Sequence, residues 1–326
     1  MHKILVIRFS SIGDIVLTTP VVRCLKTQLP FSEIHYLTKE VYHPILVSNP
    51  YIDKILTLEE GLSNIAPKIR AEKYDYIVDL HHNLRTLSLT FRTGLKFHSF
   101  HKLNLEKWMM VNLKINKLPK KHIVDRYFDT VKGLKVKNDL KGLDYFIPKH
   151  DEVPLNSLPE CHRKGFIAFV IGARHNTKKL PVEKIISICK RIEMPIVLLG
   201  GEWDKANGDA ISAAIGSKIF NAAGSFNLNQ SASIIRHSKK VISHDTGLMH
   251  IASAFGKELI SIWGSTIPEF GMSPYMPQCE TLSHIVHVND LKCRPCSKIG
   301  YERCPKTHFN CMNLIDEQTI AQLANR

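Results

Sequence analysis

The sequence predicts an α/β protein built from two parallel sheets, each covered by helices. Three observations lead there. Short β-type apolar runs alternate with stretches of helical period along the chain. The alternation comes as two series separated by a proline-bearing linker. A length of 326 residues, at roughly 150 per domain, fits two domains.

In the first series KILVIRF (3–9) reads as a buried strand, and Val21, Val22, Leu25 and Leu29 then mark one helical face. EIHYLT (33–38), DKILTL (53–58) and YDYIVDL (74–80) are further strands, with a helical stretch LSNIAPKIRAEK (62–73) among them. PKHDEVPLNSLPECHRK (148–164) carries three prolines and no sustained period, as a linker does. After it GFIAFVIGA, the helix VEKIISICKRI and the strand PIVLLGG follow in turn. KVISHD then leads into the helix TGLMHIASAFG and the strand ELISIWG. Two such series imply two Rossmann-like domains, placed at 1–150 and 151–313. The closing stretch LIDEQTIAQLAN, within 314–326, reads as a helix expected to pack back on the first domain.

The composition is that of an ordinary globular chain, 44% hydrophobic and 23% charged, which excludes disordered, collagenous and coiled-coil classes. The opening MHKILVIRFSSIGD is not a signal peptide, because its apolar run is stopped by Arg8, and no stretch approaches the ~20 apolar residues of a membrane span. The chain is expected to be cytoplasmic, at most peripheral to a membrane. Lys and Arg number 44 against 30 Asp and Glu, a net +14, which points to an anionic partner. Residues 81–149 alone hold 15 Lys and Arg against 5 Asp and Glu, together with Trp108, Met109 and Met110. That stretch reads either as a face for an anionic lipid surface or as a solvated helix with Trp108 in the core. Nucleic acid is disfavoured: aromatics are only 8% and no recognised binding module is present.

Several motifs sit where strands end. Ser10-Ser11-Ile12-Gly13-Asp14 follows the first strand; Gly13 permits close approach of the backbone, and Asp14 offers a carboxylate that can take a proton from a hydroxyl. The alternative for Asp14 is a helix cap. Gly172 to Pro181, GARHNTKKLP, offers hydroxyl, amide and ammonium donors to phosphate, without the second glycine of a P-loop. In SHDTGLMHIASA a strand meets a helix whose N-terminus, at Thr246 and Gly247, can bind phosphate, with His250 one turn on; the alternative is an Asp-capped helix with a core histidine. Glu202, after PIVLLGG, is placed to hold ribose hydroxyls, or Glu202 and Asp204 simply begin a helix. His81-His82 and, one turn later, Arg85 lie at another strand end. Cys293, Cys296, Cys304 and Cys311 form C-x2-C-x7-C-x6-C, which reads as a structural zinc site, a redox pair or plain burial. No G-x-G-x-x-G, H-E-x-x-H or G-x-S-x-G motif occurs.

Taken together these segments resemble glycosyltransferase family 9, the bacterial lipopolysaccharide heptosyltransferases. The likeness rests on S-S-I-G-D with T-T-P, on YDYIVDLHHNLRT, HIVDRYFDTV, AGSFNL and IWGSTIPE, and most specifically on D-T-G-x-x-H-x-A-x-A (245–254). Thr177, Lys178 and Pro181 fall on the family's T-x-K-x-W-P-like region, with Leu180 where tryptophan is usual. The resemblance implies a GT-B fold, with the acceptor on the first domain and a nucleotide-sugar on the second. It implies an inverting transfer of heptose from ADP-heptose to a lipopolysaccharide inner-core acceptor, requiring neither metal nor cofactor. Asp14 would be the general base, with Ser11, Gly13 and Arg85 on the acceptor. Thr177, Lys178, Glu202, Asp245, Thr246, Gly247 and His250 would hold the donor, Asp245 by organising its turn. The partners implied are that donor and an anionic glycolipid at the inner membrane's cytoplasmic face. A different nucleotide-sugar, or a non-catalytic sugar-nucleotide binder, are the alternatives.

Overall fold

The computed structural model describes residues 2–58 and 61–326. The chain begins with β1 (Lys3–Ile7), α1 (Ile12–Val16), α2 (Thr19–Gln28), β2 (Glu33–Thr38) and β3 (Lys54–Thr57). It continues through α3 (Leu62–Ala71), β4 (Tyr76–Asp79), α4 (Leu84–Thr93), β5 (Phe97–Ser99), α5 (Asn104–Asn112) and α6 (Ile123–Tyr127). These strands are parallel, in the order β3-β2-β1-β4-β5. The chain builds outward from β1 on one side and then on the other. The carboxyl end of β1 is therefore a switch point, where neighbouring connections diverge and leave a crevice.

After α7 (Glu160–Arg163) come β6 (Ile167–Val170), α8 (Val182–Arg191), β7 (Ile196–Leu199), α9 (Lys205–Ile215), β8 (Ile219–Asn221) and α10 (Leu228–His237). Then follow β9 (Lys240–His244), α11 (Gly247–Ala254), β10 (Glu258–Trp263), β11 (Ser283–His287), α12 (Asn310–Asn313) and α13 (Glu317–Asn325). This sheet is also parallel, in the order β11-β10-β9-β6-β7-β8. Its switch point lies between β6 and β9, so the loops after those two strands emerge side by side.

Both sheets are buried on two faces, which is why their strands read as near-continuous apolar runs. Ile4 and Val6 pack with Val21, Val22 and Leu25, while the alternate residues Leu5 and Ile7 pack with Ile65, Ile69 and Leu89. In the second sheet Ile167 and Phe169 meet Ile185 and Ile188, and Ala168 and Val170 meet Ile234, Met249 and Ala252. Each fully buried Ile, Leu or Phe contributes about 1.5–3 kcal/mol, so these four layers carry the fold. Ile251 and Ala232 of the second half join the first half's cluster, so the two sheets share packed apolar surface.

The strands β5, β8 and β11 carry no distinct signal in the sequence pattern; the first two are three-residue edge strands, too short to show a period. The helix expected from about Val21 is α2, and a separate helix, α1, begins inside the Ser11–Asp14 motif. The final helix does not return to the first half. The apolar face of α13, Ile320, Ala321 and Ala324, packs in the core beside Ile185 and Ile188, and Glu317 Oε1 lies 2.9 Å from Lys184 Nζ on α8. An amphipathic helix takes the nearest uncovered apolar surface, and the second sheet's outer face supplies it. Among the described residues no helix is long and apolar enough to cross a membrane.

Candidate active site

At the carboxyl end of β1, Asp14 lies in the first turn of α1. Its Oδ2 accepts from Ser11 N at 3.1 Å and Ser11 Oγ at 2.6 Å, and its Oδ1 lies 2.6 Å from Arg8 Nη2. The capping role and the acid at the sheet rim thus belong to one residue. The Ser11 hydroxyl donates to Asp14 and so positions the carboxylate. Arg8 is buried and is itself fixed, donating to Ser10 O at 2.7 Å, Leu80 O at 2.5 Å and Tyr127 Oη at 3.3 Å. Burial pushes the Asp14 carboxyl up, but the Arg8 charge and the Ser11 hydrogen bonds outweigh it and hold it below the usual range.

Gly13 is needed for a protein contact. A Cβ there would lie 2.5 Å from His250 Cδ2, and one on Gly247 would lie 2.6 Å from Ile12 Cγ2. α1 and α11 therefore cross at glycine distance, and this crossing brings the two halves' motifs together. His250 is buried at the crossing, and its Nδ1 has no hydrogen-bond partner among the described residues. Burial lowers it to about 4, while the charges of Asp245 and Asp14 raise it and Lys178 lowers it. His250 is neutral at pH 7 and stands within electrostatic reach of Asp14 and of Lys178 alike.

On the second half, Lys178 Nζ lies 2.5 Å from Asp245 Oδ2, which also accepts from Thr266 Oγ1 at 2.8 Å. Asp245 thus aims Lys178. Thr246 precedes α11 in an extended conformation and makes no side-chain cap to its first-turn N–H groups, the kind of helix end that can bind an anion. Thr177 departs from expectation. It is buried, its hydroxyl donates to Tyr301 O at 3.0 Å, and it accepts from Tyr301 N at 2.8 Å and Ser265 Oγ at 2.9 Å. That hydroxyl ties the cysteine-rich segment to the loop and has no proton left for phosphate. Leu180 is buried in the core, and its N–H donates to His244 Nε2 at 3.0 Å, which fixes the loop behind Lys178 without the larger ring. Glu202 is exposed beyond β7, with its Oε2 2.6 Å from where a Cβ on Gly224 would be, so it leans over the loop after β8.

Sequence reasoning missed a cationic wall facing Asp14. Arg126 on α6 is only 3% exposed; its Nη2 donates to Phe270 O at 3.1 Å, while its Nε and Nη1 are buried with no partner among the described residues. Lys107 is held down to about 8 by burial, with Arg126 and Lys298 pushing the same way and Asp14 opposing. Lys102 is lowered by burial and by Arg8, and its Nζ donates to His81 O at 3.1 Å. Lys298 arrives from the second half and donates to Asn104 Oδ1 at 3.5 Å. The signals existed in the basic surplus of residues 81–149, but not in which members would converge. Arg85 is exposed at the same rim, near enough to His81 to help hold that half-buried imidazole at about 3 after burial and the charges of Arg8 and Lys102.

All four C-terminal cysteines are free thiols. Among the described residues no three His, Cys, Asp or Glu side chains are arranged to hold a metal ion, so the zinc reading finds no ligand cage. Burial pushes Cys296 up to about 11 and Cys311 up to about 12, keeping them protonated.

The chain resembles known proteins along nearly its whole length. It is 24% identical over 333 aligned residues to lipooligosaccharide heptosyltransferase 2 of Haemophilus influenzae, covering 91% of this chain and 93% of that protein. It is 21% identical to lipopolysaccharide heptosyltransferase 2 of Escherichia coli, covering 82% and 84%. The solved glycosyltransferase family 9 structure from Veillonella parvula superposes with a TM-score of 0.77 at 21% identity, over 99% of this chain and 96% of that one. The E. coli ADP-heptose LPS heptosyltransferase II structure gives 0.73 at 20%, over 99% and 97%. The architecture is GT-B, two parallel α/β sheets facing across a crevice. The model of glycosyltransferase family 9 (heptosyltransferase) matches residues 63–302, more than half the chain: the protein belongs to glycosyltransferase family 9 and is a glycosyltransferase.

Proposed function

We propose that this protein transfers heptose from ADP-heptose to a lipopolysaccharide inner-core acceptor, with inversion and without a divalent metal. The reading divides the chain near residue 150, acceptor on the first half and donor on the second. The observation that carries it is the glycine-distance crossing of α1 and α11, which sets the Asp14 carboxylate against the helix end beside Lys178. The acceptor hydroxyl attacks the anomeric carbon from the first-half side. Its proton passes to Asp14 as the new carbon–oxygen bond forms, and the bond from that carbon to the diphosphate breaks on the opposite face. The electron pair leaves with ADP. Lys178 and the N–H groups of Gly247 and its neighbours meet the developing charge as fixed donors, with Glu202 on the ribose. Neutral His250 packs between base and donor and keeps their spacing.

The acceptor's acidic groups meet Arg126, Lys107, Lys102 and Lys298, with Arg85 at the rim. A buried guanidinium with two idle donors is costly in the free protein and is repaid when an anion arrives. The setting is the cytoplasmic side of a membrane, with peripheral contact to it. Support for an ADP-sugar comes from a structural neighbour crystallised as E. coli heptosyltransferase WaaC with ADP, at a TM-score of 0.69.

A mass-spectrometric assay tests the reading. ADP-, GDP- and UDP-sugars are offered with core acceptors, with and without EDTA. Heptose addition from ADP-heptose, unchanged by EDTA, is expected. Binding of ADP-heptose with no release of ADP to any acceptor contradicts the transfer.

A further inference from the structure

Two helices of the first half carry apolar side chains that the fold leaves uncovered. On α4, Leu84, Leu87 and Phe91 are 83%, 50% and 78% exposed, and their spacing of three and four residues aligns them in one stripe. The opposite stripe, Thr86, Leu89 and Thr93, is buried and holds the helix to the sheet, so the outward face is a fixed surface. α5 buries none of its nine residues, and Leu105 and Trp108 are 67% and 50% exposed. This answers the alternatives for Trp108: it is not a core residue. α4 and α5 follow the neighbouring strands β4 and β5 at the edge of the sheet. Both begin at the rim of the Asp14 crevice, α4 just beyond His81 and α5 at Asn104, which accepts from Lys298.

Charge identifies what covers this face. Of the nine Lys and Arg in residues 84–121, Lys102 and Lys107 turn into the crevice and the other seven are exposed, against one half-buried Glu. A second copy of the same chain would bring like charge onto like charge. An anionic bilayer supplies the opposite charge and also an apolar layer for leucine, phenylalanine and tryptophan.

We propose that the α4–α5 face docks on an anionic phospholipid bilayer. Leu84, Leu87, Phe91, Leu105 and Trp108 enter the boundary between headgroups and acyl chains, and the surrounding lysines and arginines meet lipid phosphates. The docking deepens the transfer reading, since it turns the acceptor crevice toward a membrane-held glycolipid, but lipid binding is measured without any sugar.

The test is cosedimentation of the full chain with vesicles of phosphatidylcholine containing phosphatidylglycerol, against phosphatidylcholine alone. Wild type is expected to bind the first and not the second, to weaken with salt, and to blue-shift its tryptophan emission; Trp108→Phe removes the shift. Leu84→Ser/Leu87→Ser/Phe91→Ser is expected to weaken binding by roughly tenfold or more while keeping wild-type turnover on a soluble, delipidated acceptor. Equal binding of wild type and triple variant, or no preference for phosphatidylglycerol, overturns the proposal. So does a wild-type dimer in vesicle-free solution that the triple variant abolishes, since a second copy would then own the face. Wild type that docks but transfers nothing to the soluble acceptor counts against the transfer reading and leaves the docking face standing.

Discussion

Gly13 and His250 touch: a Cβ on Gly13 would fall 2.5 Å from the His250 ring, so the helix bearing Asp14 and the helix beginning beside Lys178 cross with only a hydrogen between them. The first half contributes the acid, the second the cation, and this contact sets how far apart they stand. Gly13→Ala must push α11 away or displace a buried ring. It is expected to cost about 1–3 kcal/mol of stability, read by thermal melting, and to lower turnover. His250→Ala in the same background should recover the melting temperature, because it removes the ring that the new methyl strikes.

Arg8 keeps Asp14 ionised. Burial pushes Asp14 up and Arg8 with Ser11 reverses it, so the folded carboxyl lies below its unfolded value. This pairing therefore stabilises the fold above the unfolded carboxylate range, and the stabilisation is lost as pH falls through the lowered folded value. Arg8→Met should raise the Asp14 pKa and move the acidic limb of the kcat/KM profile to higher pH. It should also destabilise the protein by about 3–5 kcal/mol, since it strands a buried charge. Arg8→Lys should keep the limb close to wild type.

The acceptor role proposed for Arg126 comes at the expense of stability. Two of its donors are buried without a partner among the described residues, and burial lowers its pKa. Arg126→Met should raise the melting temperature of the free protein and raise KM for the acidic acceptor, with ADP affinity unchanged. Loss of stability in this variant would mean that the guanidinium is satisfied in solution.

How much of this was legible beforehand depends on how local each cause is. The strands β1 and β6 were legible because burial on both faces makes a continuous apolar run. The three-residue edges β5 and β8 carry too little pattern. Asp14 was legible as an acid at a strand end, and Arg8 as the charge that stops the run, but nothing local says that Arg8 turns back onto Asp14. Gly13 marks a close approach in the sequence, but nothing local says that the side approached is His250. Thr177 bonds a main chain 124 residues away, which no neighbouring residue announces. The amphipathic face of α13 showed that it covers something, not which sheet.

Thr177 is accordingly structural. Thr177→Val removes the hydroxyl that holds Tyr301 and Ser265. Faster hydrogen exchange across residues 293–309 is expected, at a cost of about 1–3 kcal/mol, with ADP affinity changed less than in Lys178→Ala. A larger loss of ADP affinity in Thr177→Val than in Lys178→Ala would restore it as a phosphate ligand.

In the proposed transfer the Asp14 carboxylate takes the acceptor proton while the opposite half holds the nucleotide. The most direct measurement of that role is the turnover of Asp14→Asn on ADP-heptose and a core acceptor, paired with calorimetric ADP affinity. An expected fall in kcat of about 10²–10⁴-fold, with ADP affinity near wild type, follows from loss of the proton acceptor. Turnover close to wild type, in a folded variant that still binds ADP, would contradict it.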